Sequence, residues 1–178
     1  MFSFVQLLVA IFAVMLVPAA AHAKVVSQSA TGFSLMFQAD VPGDTQSAYE
    51  KFVSIGSWWD ASHSHSGDSK NLSMDVKNGG CWCETLPNGG FVRHMEIVHA
   101  APGETLVLSG GLGPMAFMGV SGAMLITFEK ANHSTRVTMK YSVGGFDAAG
   151  FKGMAKAVDG VLDVGFKRYS NFVSTGKP

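Results

Sequence analysis

Glu84 and His94 stand on either side of a Pro87-Asn88-Gly89-Gly90 turn. If the flanking segments pair as strands, the carboxylate can reach the imidazole, set its tautomer and shift its pKa. That is a general acid/base dyad, suited to proton transfer on an apolar, ketone-like substrate. Without chemistry, the same two residues are a cross-strand polar pair that satisfies itself. Cys81 and Cys83, just before the turn, share one face of a strand because side chains alternate with period two. An extended strand sets their Cα atoms about 6.6 Å apart, near the upper edge of disulfide reach, so a bridge between them requires a bulge. Exposed thiols are a liability in an oxidising compartment, so two buried cysteines lining a cavity are expected, with a reactive pair as the alternative. Alternation puts Glu84 on the face opposite both cysteines, and all three share one cavity only if a bulge intervenes.

His63 and His65, with Cys81 and Cys83, supply imidazole and thiolate donors that zinc accepts together. Each pair has a single intervening residue, which is not an ordinary zinc spacing, so no metal is assigned and zinc stays an alternative. Read plainly, His63 and His65 are hydrated loop residues; an intermediate reading puts His63 at a cavity mouth walled by Trp58 and Trp59. The stretch from Gly110 to Gly122 interleaves glycines with Leu112, Met115, Phe117 and Met118. It is no phosphate loop, since no Gly-Lys-Ser/Thr follows and Pro114 sits where a helix should open. It reads equally as a flexible apolar lid, using methionine's adaptability, or as a crossover loop packed on the core. Gly119-Val120-Ser121-Gly122 lacks the spacing of a nucleophile elbow. No cofactor is expected.

The elements that must position these residues follow from periodicity. Phe33, Leu35 and Phe37 alternate with Ser34, Met36 and Gln38, making Val25–Ala39 a strand. Asp44 or Thr45 can cap a short helix through Ala48, Phe52 and Val53, closed by Gly56. Asn71–Val76, Cys81–Leu86, Phe91–His99, Thr105–Leu108, Ala123–Lys130 and His133–Val143 are short strands separated by Asn/Pro/Gly turns, hence antiparallel neighbours. From Phe151 to Val173 apolar residues recur at steps of three and four, a single long amphipathic helix. Its Gly153, Gly160 and Gly165 each cost up to about 1 kcal/mol relative to Ala, so packing must stabilise it. The order predicts one α+β domain, a curved antiparallel sheet wrapped around the C-terminal helix, with a short helix after the first strand.

Composition narrows the function. Of the 178 residues 47% are apolar and 15% charged, and 13 Lys plus Arg balance 13 Asp plus Glu. Such a chain buries a core and is not disordered. Zero formal charge removes the electrostatic attraction behind most nucleic-acid binding, so no nucleic-acid partner is expected. Phe2–Val17 is almost wholly apolar, Pro18 ends the run, and Ala21-His22-Ala23 offers a small-x-small cleavage site. Residues 1–23 are therefore read as a signal peptide, and residues 24–178 as one exported domain, periplasmic or secreted, with no membrane contact after cleavage.

The motifs Ser57-Trp58-Trp59-Asp60, Asn71-Leu72-Ser73-Met74-Asp75, Gly79-Gly80-Cys81-Trp82-Cys83-Glu84, His94-Met95, Gly110–Met115 and Ala157–Leu162 resemble the START-like helix-grip (SRPBCC) superfamily, in its polyketide cyclase and heat-shock-activator branch. The resemblance spans about 25–173 and implies a deep cavity between the sheet and the last helix. Members bind or transform many apolar ligands, so the fold alone does not fix the chemistry. Three readings result. The first is a binding protein whose small apolar or aromatic ligand meets Trp58, Trp59, His63, Cys81, Cys83, Met115, Phe117, Met118, Met154, Val158 and Leu162. The second is a cyclase- or hydrolase-like enzyme using His94 and Glu84. The third is a zinc protein through His63, His65, Cys81 and Cys83.

Overall fold

The computed structural model describes residues 22–178, and the apolar segment read as a signal peptide lies outside the described residues except for His22 and Ala23. The described chain runs β1 (His22–Gln28), β2 (Gly32–Pro42), α1 (Thr45–Val53), β3 (Leu72–Met74), β4 (Cys81–Thr85), β5 (Phe91–Ala101), β6 (Thr105–Ser109), β7 (Val120–Ala131), β8 (Ser134–Gly145) and α2 (Phe151–Thr175). All eight strands join one antiparallel sheet in the order β1-β2-β8-β7-β6-β5-β4-β3. The α+β reading holds: a curved sheet grips one long C-terminal helix, with a short helix after the first hairpin.

One expected element divides. Val25–Ala39 is not a single strand; the chain reverses between Gln28 and Gly32, where the Ser29 N–H donates to the Gly32 carbonyl at 2.8 Å. Ser29 and Thr31 hydroxyls reinforce that turn, a local competition by short polar side chains that the β-branched run obscures. Asp44 is the cap of α1, its carboxylate accepting from the Ser47 N–H at 2.7 Å.

α2 lies on β1 and β2. Beneath it, rings of Phe52, Trp58, Phe128, Phe166 and Tyr169 meet at centroid distances of 5.1–6.0 Å, tilted or edge-on. Tyr169 donates to the Ala48 carbonyl at 2.9 Å, tying α2 to α1. Gly165 explains one of the helix glycines: a Cβ there would stand 2.7 Å from the Trp59 ring, so glycine admits the indole against the helix. Gly153 and Gly160 face open space, and nothing in the structure explains them.

Candidate functional site

A cavity of about 430 Å³ opens between α2, the β4–β5 end of the sheet and two loops. The loop after α1 contributes Trp59, His63 and His65; the strands contribute Leu72, Trp82 and His94. The Gly110–Gly119 crossover contributes Leu112, Pro114, Met115 and Met118, and α2 contributes Met154, Val158 and Val161. The volume is that of a small-molecule site, and the wall is mostly hydrocarbon, aromatic ring and thioether.

Both loops are pinned. Asp60 accepts from the Ser62 N–H at 2.9 Å and its hydroxyl at 2.8 Å, and these bonds hold the Asp60 carboxyl below the ordinary carboxylate range. Trp59 Nε1 donates to the His63 carbonyl, and Arg168 Nε from α2 donates to the Trp58 carbonyl. On the other side, Tyr141 accepts from the Leu112 N–H at 3.0 Å and donates to the Gly110 carbonyl at 3.1 Å. Burial pushes the Tyr141 phenol up to about 12, so it remains a donor. The crossover is thus a packed wall anchored at its start, with Met115 buried and Phe117 exposed at its tip.

Glu84 and His94 are 1% and 5% exposed, and His94 Nε2 lies 3.0 Å from Glu84 Oε2. The Glu84 carboxylate also accepts the N–H groups of His65 and Ser66. Burial acts to raise the Glu84 pKa, but the Ser66 and His65 bonds with the His94 contact outweigh it and hold the group below its ordinary value. Burial lowers the His94 pKa, with Glu84 opposing only in part. At neutral pH the pair is therefore a carboxylate and a neutral imidazole. A carboxylate only accepts, so the His94 proton sits on Nε2 and Nδ1 carries a lone pair.

A bulge brings this histidine inward. Trp82 pairs with Met95 and Cys83 with Arg93, so His94 is the extra residue on β5. Consecutive His94 and Met95 are both buried, which regular alternation forbids. Directly across the bulge, Cys81 and Cys83 form a disulfide with Cα atoms 5.4 Å apart. This corrects the expectation of two free thiols in the cavity. The same parity that turns Trp82 and Glu84 inward turns both cysteines to the other face of the sheet, where each is half-buried. The zinc reading also falls: the thiols are consumed in the bridge, and they lie across the sheet from the cavity that His63 and His65 line.

Of the other expected ligand contacts, Trp59, His63, Met115, Met118, Met154 and Val158 line the cavity. Trp58 does not; its Nε1 donates to the Phe52 carbonyl inside the aromatic core. Leu162 is core as well, and Phe117 is 75% exposed with its ring edge-on to His65 at 6.1 Å. Trp82 was not anticipated as a wall residue, although its shared parity with Glu84 was available as a signal. Leu72 and Val161 were likewise passed over.

No family model matches the sequence, and no curated protein matches it. Solved structures do. CalU16 from Micromonospora echinospora, in its solution structure, superposes with a TM-score of 0.60 at 11% identity, over 92% of this chain and 80% of that one. A conserved protein of unknown function, EF2215 from Enterococcus faecalis, gives 0.56 at 13%, over 89% and 79%. DynU16, a protein in the dynemicin biosynthetic locus, gives 0.54 at 19%, over 82% of this chain and 48% of that one. The fold is helix-grip. At these identities the likeness carries architecture and not chemistry.

Proposed function

We propose that this chain is an exported member of the START-like superfamily that binds a small apolar or aromatic molecule between the sheet and α2. The observation that carries the reading is the cavity of about 430 Å³, which the fold leaves open where it could have packed side chains. A solid interior would have ended it. The test is to express the full chain with its leader in a bacterial host, isolate the folded protein natively, and identify bound molecules by denaturing extraction and mass spectrometry. A stoichiometric apolar compound is the expected result. Protein that stays empty, and that no aromatic probe stabilises against heat, overturns the reading. Export is supported by the leader-like segment and by the Cys81–Cys83 bridge, which suits an oxidising compartment. An exported fraction whose intact mass begins at Lys24 is expected; full-length mass in the cytosol overturns it.

A second reading, proton-transfer catalysis, is favoured by the buried Glu84–His94 pair at the cavity wall. A neutral imidazole with a free lone pair, steadied by a carboxylate, is the arrangement of a general base. Its test is α-proton exchange of 2-tetralone in D2O, followed by NMR. Catalysed exchange that His94→Gln abolishes supports it; exchange equal to buffer overturns it.

A further inference from the structure

The polar side chains of the cavity wall are gathered on one side. Ser62, His63, Ser64 and His65 follow one another in the loop after α1, whereas the crossover and α2 turn only hydrocarbon and thioether side chains to the cavity. Most of the polar atoms are already engaged. The Ser62 hydroxyl donates to Asp60 Oδ1 at 2.8 Å, and the Ser64 hydroxyl to the Ala61 carbonyl at 2.7 Å. Trp59 Nε1 is taken by the His63 carbonyl and His94 Nε2 by Glu84, while Trp82 Nε1 and His94 Nδ1 are buried. The imidazoles of His63 and His65 are what is left. Both residues are exposed, and neither ring has a hydrogen-bond partner among the described residues. Their backbone is nevertheless fixed: the His63 N–H donates to the Asp60 carbonyl at 3.0 Å, and the His65 N–H to Glu84 Oε2 at 3.1 Å. The loop thus holds two unengaged imidazoles at the edge of an otherwise apolar cavity.

Charge selects the ligand's polar end. No Asp, Glu, Lys or Arg lines the cavity. The Glu84 carboxylate is 1% exposed, and its oxygens already accept from the His65 and Ser66 N–H groups and contact His94. A cationic head therefore finds no counter-charge, whereas imidazoles donate to an anion and can themselves become cations. Resting on the binding reading above, we infer that the ligand is an amphipathic acid, with an apolar or aromatic body inside the cavity and a carboxylate at its edge that accepts from His63 and His65. A carboxylate offers two acceptor oxygens to these two donors, in charge-assisted bonds. An ester accepts without the charge, and a hydrocarbon leaves both imidazoles to water. The body of the ligand then extends past Trp59 toward Met115 and Val158.

The experiment titrates the full chain with three matched probes, 2-naphthoate, methyl 2-naphthoate and naphthalene, at pH 7.5 and reads affinity calorimetrically. Charge-assisted bonds predict 2-naphthoate roughly tenfold or more tighter than its methyl ester. In the double variant His63→Ala/His65→Ala the ratio of 2-naphthoate to naphthalene affinity should fall about tenfold. Either single variant should give part of that fall. Binding of 2-naphthoate no tighter than the ester overturns this assignment and leaves the cavity reading standing, as does a ratio that the double variant leaves unchanged. Failure of all three probes to bind overturns both. Should the double variant not fold, the single variants and the wild-type ranking of the three probes still decide.

Discussion

The two ends of the sheet are built on opposite principles. At the β2–β8–β7 end the register runs without a break, from Gly32 opposite Gly144 to Pro42 opposite Ser134, and from Val120 opposite Gly145 to Ala131 opposite Ser134. The buried residues of these strands belong to the hydrophobic core. At the β4–β5–β6 end the register shifts twice, once at His94 and once between Ile97 and His99. There the interior holds a buried ion-capable pair, two unpartnered ring nitrogens and a cavity. One sheet thus carries a filled half that supplies stability and an irregular half that gives up packing for polar chemistry. The distinction lies in register and not in hydrophobicity, since both halves are lined by aromatic rings.

Truncation gives the largest contrast. Phe166→Ala in the filled half should cost about 3–5 kcal/mol in denaturant unfolding, the usual loss for a buried phenylalanine. Val158→Ala at the cavity wall should cost below about 1.5 kcal/mol, because its side chain already borders empty space. Similar losses at both positions would erase the division. Acid is the next lever. The folded His94 pKa lies below its ordinary 6.5, so the unfolded chain takes up a proton first, and stability present above that pH is lost as pH falls from it. Glu84, depressed below its ordinary 4.5, extends the loss to lower pH. The urea midpoint should therefore begin to drop near pH 6.5, and His94→Gln should flatten the upper part of that drop. Parallel profiles for the two proteins would show that His94 is not held neutral.

The filled half was legible in the sequence because its signals are periodic: alternation at Phe33, Leu35 and Phe37, and the three–four stepping of α2. The dyad was legible as a possibility from one turn and two residue types. Its inward aim was not, because parity reasoning assumes an unbroken ladder and His94 is the residue that breaks it. Cys81 and Cys83 were misplaced for the opposite reason. Parity put them opposite Glu84, and burial preference overrode parity. Disulfide reach had already shown that a bridge needs a bulge, and the bulge is present on the neighbouring strand. Phe117 and Trp58 show the remaining limit, since an aromatic residue in a loop carries no period from which to read its direction.

Gly165 and Gly160 test how closely the loop wall and the helix are fitted. Gly165→Ala drives a methyl into the Trp59 ring and should cost about 1–3 kcal/mol, with loss of naphthalene binding as Trp59 shifts. Gly160→Ala meets open space and should gain about 1 kcal/mol from helix propensity, with binding unchanged. Equal effects would show that Trp59 is not held by the helix.

Removing the disulfide separates scaffold from site. The Cys81–Cys83 bridge closes a very short loop, for which chain entropy gives about 1–2 kcal/mol. Replacing both cysteines by serine should therefore lower the unfolding free energy only slightly. The bridge nevertheless spans the β4 segment opposite the bulge, and it holds that segment shorter than an extended strand. Without it β4 can lengthen, the ladder can regain regular pairing, and His94 loses the reason to face inward. The His94 ring resonances of the double variant should thus move in the NMR spectrum, and the acid loss of stability should begin at a different pH. Unchanged resonances and an unchanged acid profile would mean that the bulge is held by the Glu84 bond and core packing alone, and that the bridge has no part in placing the site.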